Sequence, residues 1–569
     1  MSYPDPSPSL RSPAKSKLRE AIAQRLPDPW TAAILLLSVI IAIPVVAIAS
    51  SLLSPTTEVW QRLVETVLPR YVKNSLYLMI GVGIGTIVMG VGTAWLVALC
   101  RFPGRRVFEW ALLLPLAAPA YVLAYTYTDL LDVAGPLQTH LRSLFGWSVR
   151  DYWFPQVRSL GGAIAMLSLV LYPYIYLPAR VAFLEQSKST LDASRSLGRG
   201  PWQTFFTVAL PLARPTIVGG AALALMETLN DFGTVQFFGV ETFSTGIYRT
   251  WFNMGERAAA AQLAAVLLLF VLAIVAIERW TRGRTHYFQS GNPQGQPLSY
   301  PLGFWGATAA MLTCSLPVGL GFVVPGWALA SMAFEEAGYG LEKQFWTYAR
   351  HSFVMGAIAA ALAVAIGILM AYGQRLRPNR AMRWGTRVAA MGYAIPGAVI
   401  AVGILIPVSG FDRAVDNVAR SLFDISTGLL LSGTIVALLF AYVVRFLAVS
   451  FNTVEAGLLR IRPNLDDAAR SLGCTPVETL AKVHAPLMVR SIATAAMFVF
   501  VDVVKELPAT LVLRPFNFDT LATRVYRLAS DERLAESAPG SLAIAAVGMI
   551  PVIVLIWTLQ NRRSRQTAP

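Results

Sequence analysis

Long apolar runs separated by short polar loops recur along the whole chain. A bilayer core takes about 20 apolar residues per helix, and twelve runs reach that length: roughly 30–53, 74–100, 108–131, 161–184, 216–238, 258–277, 301–330, 352–372, 388–407, 427–449, 491–513 and 541–559. The pattern predicts an all-α polytopic membrane protein of about twelve transmembrane helices. The first run exceeds the roughly 7 to 15 apolar residues of a cleavable signal peptide, and more spans follow it. Residues 1–29, rich in Pro and Ser, are expected to form a mobile tail. The longest loop, 450–490, holds about 40 residues, too few for a soluble domain. Function is therefore expected within the membrane or at its two faces.

Composition agrees. Of 569 residues, 55% are hydrophobic and only 14% charged, against roughly 25% charged in soluble domains, which excludes an ordinary globular enzyme. The net charge of +15 could signal nucleic acid or topology. Sorting the charges by alternate loops decides for topology. The side holding the N-terminus carries 28 Lys or Arg and 11 acids, and the other side 16 and 17. By the positive-inside rule both termini are expected in the cytoplasm of a cell whose inner membrane the chain spans, and no nucleic-acid partner is needed. Three distant cysteines form no CxxC or Cys/His cluster, so neither a disulfide framework nor a zinc site is expected.

The chain also repeats itself. DASRSLGRGPWQTFFTVALPL from Asp192 and DAARSLGCTPVETLAKVHAPL from Asp467 match at 11 of 21 positions with an offset of 275. Pro119 and Pro396 correspond upstream, as do Tyr248–Arg249 and Tyr526–Arg527 downstream. The expected organisation is a tail (1–29), a six-helix repeat (30–280) with segment 185–214, a linker (281–300), a second repeat (301–560) with segment 450–490, and a short tail (561–569). Six helices per unit is an even number, so both halves share one orientation, related by an axis along the membrane normal. Each duplicated segment predicts a helix ending in Leu-Gly, a Pro-containing turn and a second helix lying along the cytoplasmic face. Interfacial anchoring would leave the same pattern.

At these segments the chain resembles the membrane subunits of binding-protein-dependent ABC importers, whose mark is EAA, three residues, Gly, nine residues, I-x-L-P. Asp192, Ala193, Ser194, Gly198, Val208, Leu210 and Pro211 fit it in the first half. Asp467, Ala468, Ala469, Gly473, Val483 and Pro486 fit it in the second, with Asp for Glu and Val for Ile in both copies. The resemblance implies a type I importer permease fold, coupling helices that dock on two ATP-binding subunits, and a soluble periplasmic donor. No GxxxxGK[ST] occurs, so the chain has no phosphate-cradling loop and is not expected to be an enzyme or to hold a cofactor. GVGIG at Gly81–Gly85 lies in an apolar helix and reads as a packing surface. A secondary transporter is the competing class, although it has no use for two such cytoplasmic segments. The four histidines, His140, His286, His351 and His484, are scattered, and His484 reads as a surface contact.

Charge inside a span costs about 2.5 to 3.5 kcal/mol on insertion scales, so each case needs a reason. The fifth span carries Glu227 and Asp231, and the eleventh Asp502, Lys505 and Glu506, the acids again 275 apart. Two readings stand: a carboxylate-lined path for a hard cation, or a polar network joining helices, with Lys505 paired to Asp502 and Arg180 or Arg445 near. No stable metal site follows from either. Pro508 and Gly233 predict breaks just after these acids, and broken helices often mark transport sites. NDFGTVQFFG from Asn230 and VKELPATLVLRP from Val504 are similar to the ferric-iron importer permeases, which implies Fe3+ handed over by a periplasmic iron-binding protein. Relatives carrying thiamine or phosphonates share this architecture. In the donor-side loops, Arg249 and Arg527, each preceded by Thr245 or Thr523, are candidate docking anchors; pairing with neighbours such as Glu241 and Asp531 is the alternative.

Overall fold

The structure, a computed structural model, describes residues 28–53, 55, 58–186, 193–194, 196–282, 300–336 and 343–566. Asp192, the tail before residue 28 and linker residues 283–299 lie outside them.

Among the described residues, ten helices are long and apolar enough to cross a bilayer: Pro29–Ser51, Leu68–Leu99, Pro201–Asn230, Arg257–Thr281, Phe304–Glu335, Gln344–Leu376, Gly397–Phe423, Ile435–Leu458, Pro476–Lys505 and Leu534–Val554. Two bent pairs complete the set. Arg105–Ala117 and Ala120–Phe145 meet at 91°, and Leu160–Leu171 and Pro173–Glu185 at 42°. Counted in chain order these make twelve spans, six in each half.

Prolines account for the bends. Pro173 lacks the N–H that would continue the ladder, and the fourth span turns one residue before it. Pro119 and Pro396, corresponding positions in the third and ninth spans, are both extended (ψ 146° and 141°), and in each a helix starts at the next residue. A short 3-10 turn precedes each of them, Leu114–Ala117 and Gly392–Ala394. The duplication therefore copied a break as well as a helix.

The halves interlock. The first span packs on Arg380–Ala389 and Gly397–Phe423 of the second half, and Ser38 Oγ donates to the Gly385 carbonyl across 2.8 Å. Reciprocally, the seventh span reaches the first half, where Tyr127 Oη donates to Leu320 O at 2.5 Å. Small residues allow the closest contacts. At Gly81 and Gly85 a Cβ would collide with Ile164 and Ser168 of the fourth span, in agreement with the packing reading of GVGIG. Against the all-α pattern, one two-residue parallel pairing joins β1 (Cys100–Arg101) to β2 (Tyr300–Pro301), tying the linker's end to the second span.

Candidate translocation site and contact faces

Both helices that carry the intramembrane acids break where those acids stand. The fifth span ends at Asn230, Asp231 is extended (ψ 131°), and a short helix Gly233–Phe237 follows. The eleventh ends at Lys505, Glu506 is extended (ψ 119°), and Pro508–Leu513 follows. Each carboxylate then caps the helix that restarts after it. Val235 N–H donates to Asp231 Oδ1 at 3.1 Å, with Thr234 Oγ1 to Oδ2 at 2.9 Å. Ala509 N–H donates to Glu506 Oε1 at 3.0 Å. A break exposes backbone donors that lipid cannot satisfy, and an acid at the break supplies the acceptor.

The four breaks, in spans three, five, nine and eleven, surround one cavity of about 150 Å³ at the junction of the halves. Glu227, Asp231, Asp502, Lys505 and Glu506, all anticipated from the sequence, line it together. Arg445 of the tenth span lies in its wall, 4% exposed, with Nη1 at 3.2 Å from Glu506 Oε1 and 2.8 Å from Asn230 Oδ1. Asn230 Oδ1 also accepts from Gly397 N–H at 2.8 Å, so one amide ties the break of span five to that of span nine. Gly397 has no room for a side chain, since a Cβ would press on both the Arg445 guanidinium and the Glu506 carboxylate.

The expected pairing of Lys505 with Asp502 is not what the structure has. Lys505 Nζ donates to Leu116 O at 2.9 Å, the carbonyl left free where span three breaks. The other candidate counter-ion, Arg180, is paired with Glu109 instead. Asp502 has no hydrogen-bond partner among the described residues, and Glu227 has only Asn230 Nδ2 at 3.3 Å. Two acids are thus committed to holding the breaks and two face the cavity almost free. Four carboxylates stand against two cations, leaving the lining negative. Tyr121, Tyr174 and Tyr393 also line it; sequence reasoning passed over them because a tyrosine in a span carries no charge signal. Among the described residues, no cluster of three His, Cys, Asp or Glu could hold a metal.

The duplicated segments differ from the expected pair of face-lying helices. Gly198 and Gly473 are left-handed (φ 77° and 80°), closing the first helix as anticipated. The second helix, however, runs straight into the membrane. From Pro201 or Pro476 it passes through a π turn, Phe205–Ala209 or Leu480–His484, into span five or eleven. Motion of the turn would reach the acids along one helix. Ala193, Asp467 and Ala468 are exposed, as are Pro211 and Pro486. Leu197 is 79% and Leu472 83% exposed, and Trp202 and Val477, again corresponding, also face outward. His484, expected at the surface, is fully buried. Its Nε2 lies 2.7 Å from Asp466 Oδ1, whose other oxygen takes Arg375 Nε at 3.0 Å. Leu191 and Ala209 replace Asp466 and His484 in the first half, so this anchor belongs to one segment alone.

Burial would raise the Asp466 carboxyl, but the bonds from Arg375 and His484 outweigh it and hold it below the usual range. A depressed folded value means that the contribution is present above the ordinary carboxylate pKa of about 3.9 and is lost as pH falls below it. The anchor is therefore intact at neutral pH. Asp466→Asn should remove it there, leaving Arg375 without its charge partner at a cost of about 1 to 3 kcal/mol. Amide exchange over 464–484 is expected to quicken about tenfold or more; unchanged exchange would show that the segment is held by something else.

On the opposite face, Arg249 and Arg527 do have acidic partners. Arg249 Nη1 lies 3.0 Å from Glu241 and Arg527 Nη2 2.8 Å from Asp519. Glu241 and Asp519 are 278 apart, so the pairs are copies; Asp519, rather than the Asp531 that sequence proximity suggested, is the second partner. Each acid takes a further arginine, Arg70 at 2.9 Å in the first half and Arg514 in the second, which leaves each cluster with one surplus positive charge. Bonds from Arg70 and Arg249 hold the Glu241 carboxyl below the usual range. Thr245 and Thr523 prove to be capping-box residues, accepting from the N–H of Thr242 and Thr520 at 2.9 Å each.

Comparison with known proteins agrees with this duplicated arrangement. Residues 32–285 and 363–566 match the family described as binding-protein-dependent transport system inner membrane component. The Fe(3+)-transport system permease protein FbpB 2 of Haemophilus influenzae is 27% identical over 492 residues, 85% of this chain and 88% of that one. The ferric transport system permease protein FbpB of Actinobacillus pleuropneumoniae is 25% identical, over 87% of this chain and 72% of its own. The molybdenum transport system permease protein ModB of Escherichia coli is 28% identical over 34% of this chain and 83% of its own. With two matching stretches covering most of its length, the chain belongs to the binding-protein-dependent transport system inner membrane component family, as a fused, multi-pass ABC importer permease of the inner membrane.

Proposed function

We propose that this permease passes Fe3+, delivered by a periplasmic iron-binding protein, into the cytoplasm by alternating access driven by two separate ATP-binding subunits. The observation that carries the substrate is the cavity at the four breaks, with four carboxylates against two cations and two of those carboxylates nearly unpartnered. Such a lining attracts a hard cation and repels an oxyanion. It therefore supports iron, in keeping with the ferric relatives, over the molybdenum or 2-aminoethylphosphonate named for shorter matches. The decisive experiment reconstitutes the complex with its ATPase and compares ATP-dependent uptake of 55Fe3+, molybdate and thiamine, each presented on its own donor. Uptake of molybdate or thiamine in preference to iron would overturn the substrate.

In this reading the turns at Ala193, Gly198, Ala468 and Gly473, joined by Asp192, Asp467, Pro211 and Pro486, are where the ATPases dock. Their outward Leu197 and Leu472 supply apolar surface for burial. Both termini then lie in the cytoplasm. Because a Cβ at either glycine meets nothing nearby, Gly198→Val plus Gly473→Val carries only backbone strain of about 1 to 2 kcal/mol per site. The double variant is expected to retain its fold yet co-purify with several-fold less ATPase. Normal ATPase recovery and transport would remove the coupling assignment.

The two arginine-rich clusters around Glu241 and Asp519 are the proposed donor anchors, one for an acidic residue on each lobe. Charge reversal would set a new carboxylate beside Glu241 or Asp519, so neutral Arg249→Gln plus Arg527→Gln is the cleaner test. Donor affinity is expected to fall several-fold and to lose much of its salt dependence. Affinity and salt dependence equal to those of the parent protein would reject these anchors while leaving the permease assignment standing.

A further inference from the structure

We infer that a cavity beside the first span is a binding site for an anionic phospholipid, held with its headgroup on the side of the coupling segments. The cavity measures about 850 Å³, far larger than the charged one. Its walls come from both halves. The first and sixth spans contribute Ile41, Val45, Val271 and Leu272, and the tenth contributes Val444 and Ala448. These walls are apolar from about the middle of each span toward its end at the arginines.

One end is basic. Arg279 closes the sixth span, and Arg383 and Arg387 stand four residues apart on one face of Arg380–Ala389. The opposite face of that short helix, with Met382, Gly385 and Ala389, is buried, and Gly385 takes the hydrogen bond from Ser38 of the first span. The two arginines are thereby aimed away from the packed core. All three guanidinium groups are exposed, and none has a carboxylate within ion-pair distance among the described residues. Glu455, also in the lining, offsets one charge and leaves a surplus of two.

A long apolar slot between spans with unpaired arginines at its polar end matches a phospholipid: acyl chains along the spans, phosphate on the guanidiniums. The same charges make it a poor route for a cation. Tyr393 is the one residue common to the linings of this cavity and the carboxylate cavity, among the described residues, so the two spaces abut without merging. The apolar walls belong to membrane spans, which suits a lipid better than a soluble protein segment. This site does not depend on the identity of the transported substrate.

The test uses the full permease complex exchanged into nanodiscs of phosphatidylcholine and phosphatidylglycerol, with retained lipid counted by native mass spectrometry after detergent release. The wild type is expected to retain phosphatidylglycerol over phosphatidylcholine. Arg383→Gln plus Arg387→Gln, at exposed positions, should weaken retention by about thirtyfold, taking roughly fivefold for each lost cation. Leu272→Trp, which fills the slot with the arginines intact, should abolish retention just as well. Equal retention of the two lipids, or an arginine double variant that retains phosphatidylglycerol normally, would overturn the site. So would a Leu272→Trp variant that still binds the lipid, since the arginines would then act as surface charge alone. Complete displacement of the lipid by inorganic phosphate would overturn it equally, by showing that the apolar slot contributes nothing.

Discussion

Glu506→Gln is expected to cost the complex about 3 to 5 kcal/mol, the penalty for leaving one partner of a buried ion pair uncompensated. Arg445 and Glu506 are each 4% exposed and 3.2 Å apart, between the tenth and eleventh spans. The amide keeps the size of the side chain and can still accept the Ala509 N–H that caps the restarted helix, so the lost charge is isolated. What remains is a guanidinium at membrane depth with Asn230 as its neutral partner. Thermal unfolding of the purified complex should show a large drop for Glu506→Gln and a partial return for Glu506→Gln combined with Arg445→Gln, in which no charge is orphaned. If the single variant melts with the wild type, the pair is not what fastens the tenth span to the break in the eleventh.

How far the sequence could be read is visible in the same residues. Offsets of 275 to 278 placed the acids, prolines, glycines and arginines as copies, and every copy that tracks backbone geometry is paired in the structure: Pro119 with Pro396 at the breaks, Gly198 with Gly473 at the turns. Periodicity and repetition encode local conformation, because the same short-range sterics act on both copies. Partners are another matter. Lys505 binds a carbonyl 389 residues away and Arg445 an amide 215 away, and nothing in the neighbourhood of either residue announces it. His484 looked like a surface contact because it lies in a duplicated segment expected to meet a partner, yet it is buried against Asp466, which Arg375 holds from the other side. Asp519 was overlooked as the partner of Arg527 in favour of the nearer Asp531, although the offset of 278 from Glu241 already pointed to it. The embrace of each half by the first span of the other leaves no trace in either repeat alone, since it depends on how two units meet.

The structure also divides the four intramembrane acids, which the sequence offered as one group, and that division yields the sharpest functional expectation. Asp231 and Glu506 satisfy backbone donors at the breaks, so their removal mixes folding with transport. Asp502 makes no hydrogen bond among the described residues, and Glu227 makes one long one; both line the cavity. A polar network built only for packing would not leave these two oxygen pairs idle, because an unsatisfied carboxylate at such depth is costly. Asp502→Asn with Glu227→Gln is therefore expected to leave expression, assembly and melting temperature near those of the wild type. Its effect should fall on passage. At roughly 5 Å and an effective dielectric near 20, one charge is worth about 3 kcal/mol to a unit cation, and partial screening by Arg445 and Lys505 brings this down to about one decade in rate per acid. Iron uptake by the double variant, measured with donor and ATP saturating, should fall by about a hundredfold while ATPase docking is unchanged. Uptake at the wild-type rate in a complex of normal stability would show that these carboxylates are spectators, and that the cation, if iron is the cargo, passes without touching the charged lining.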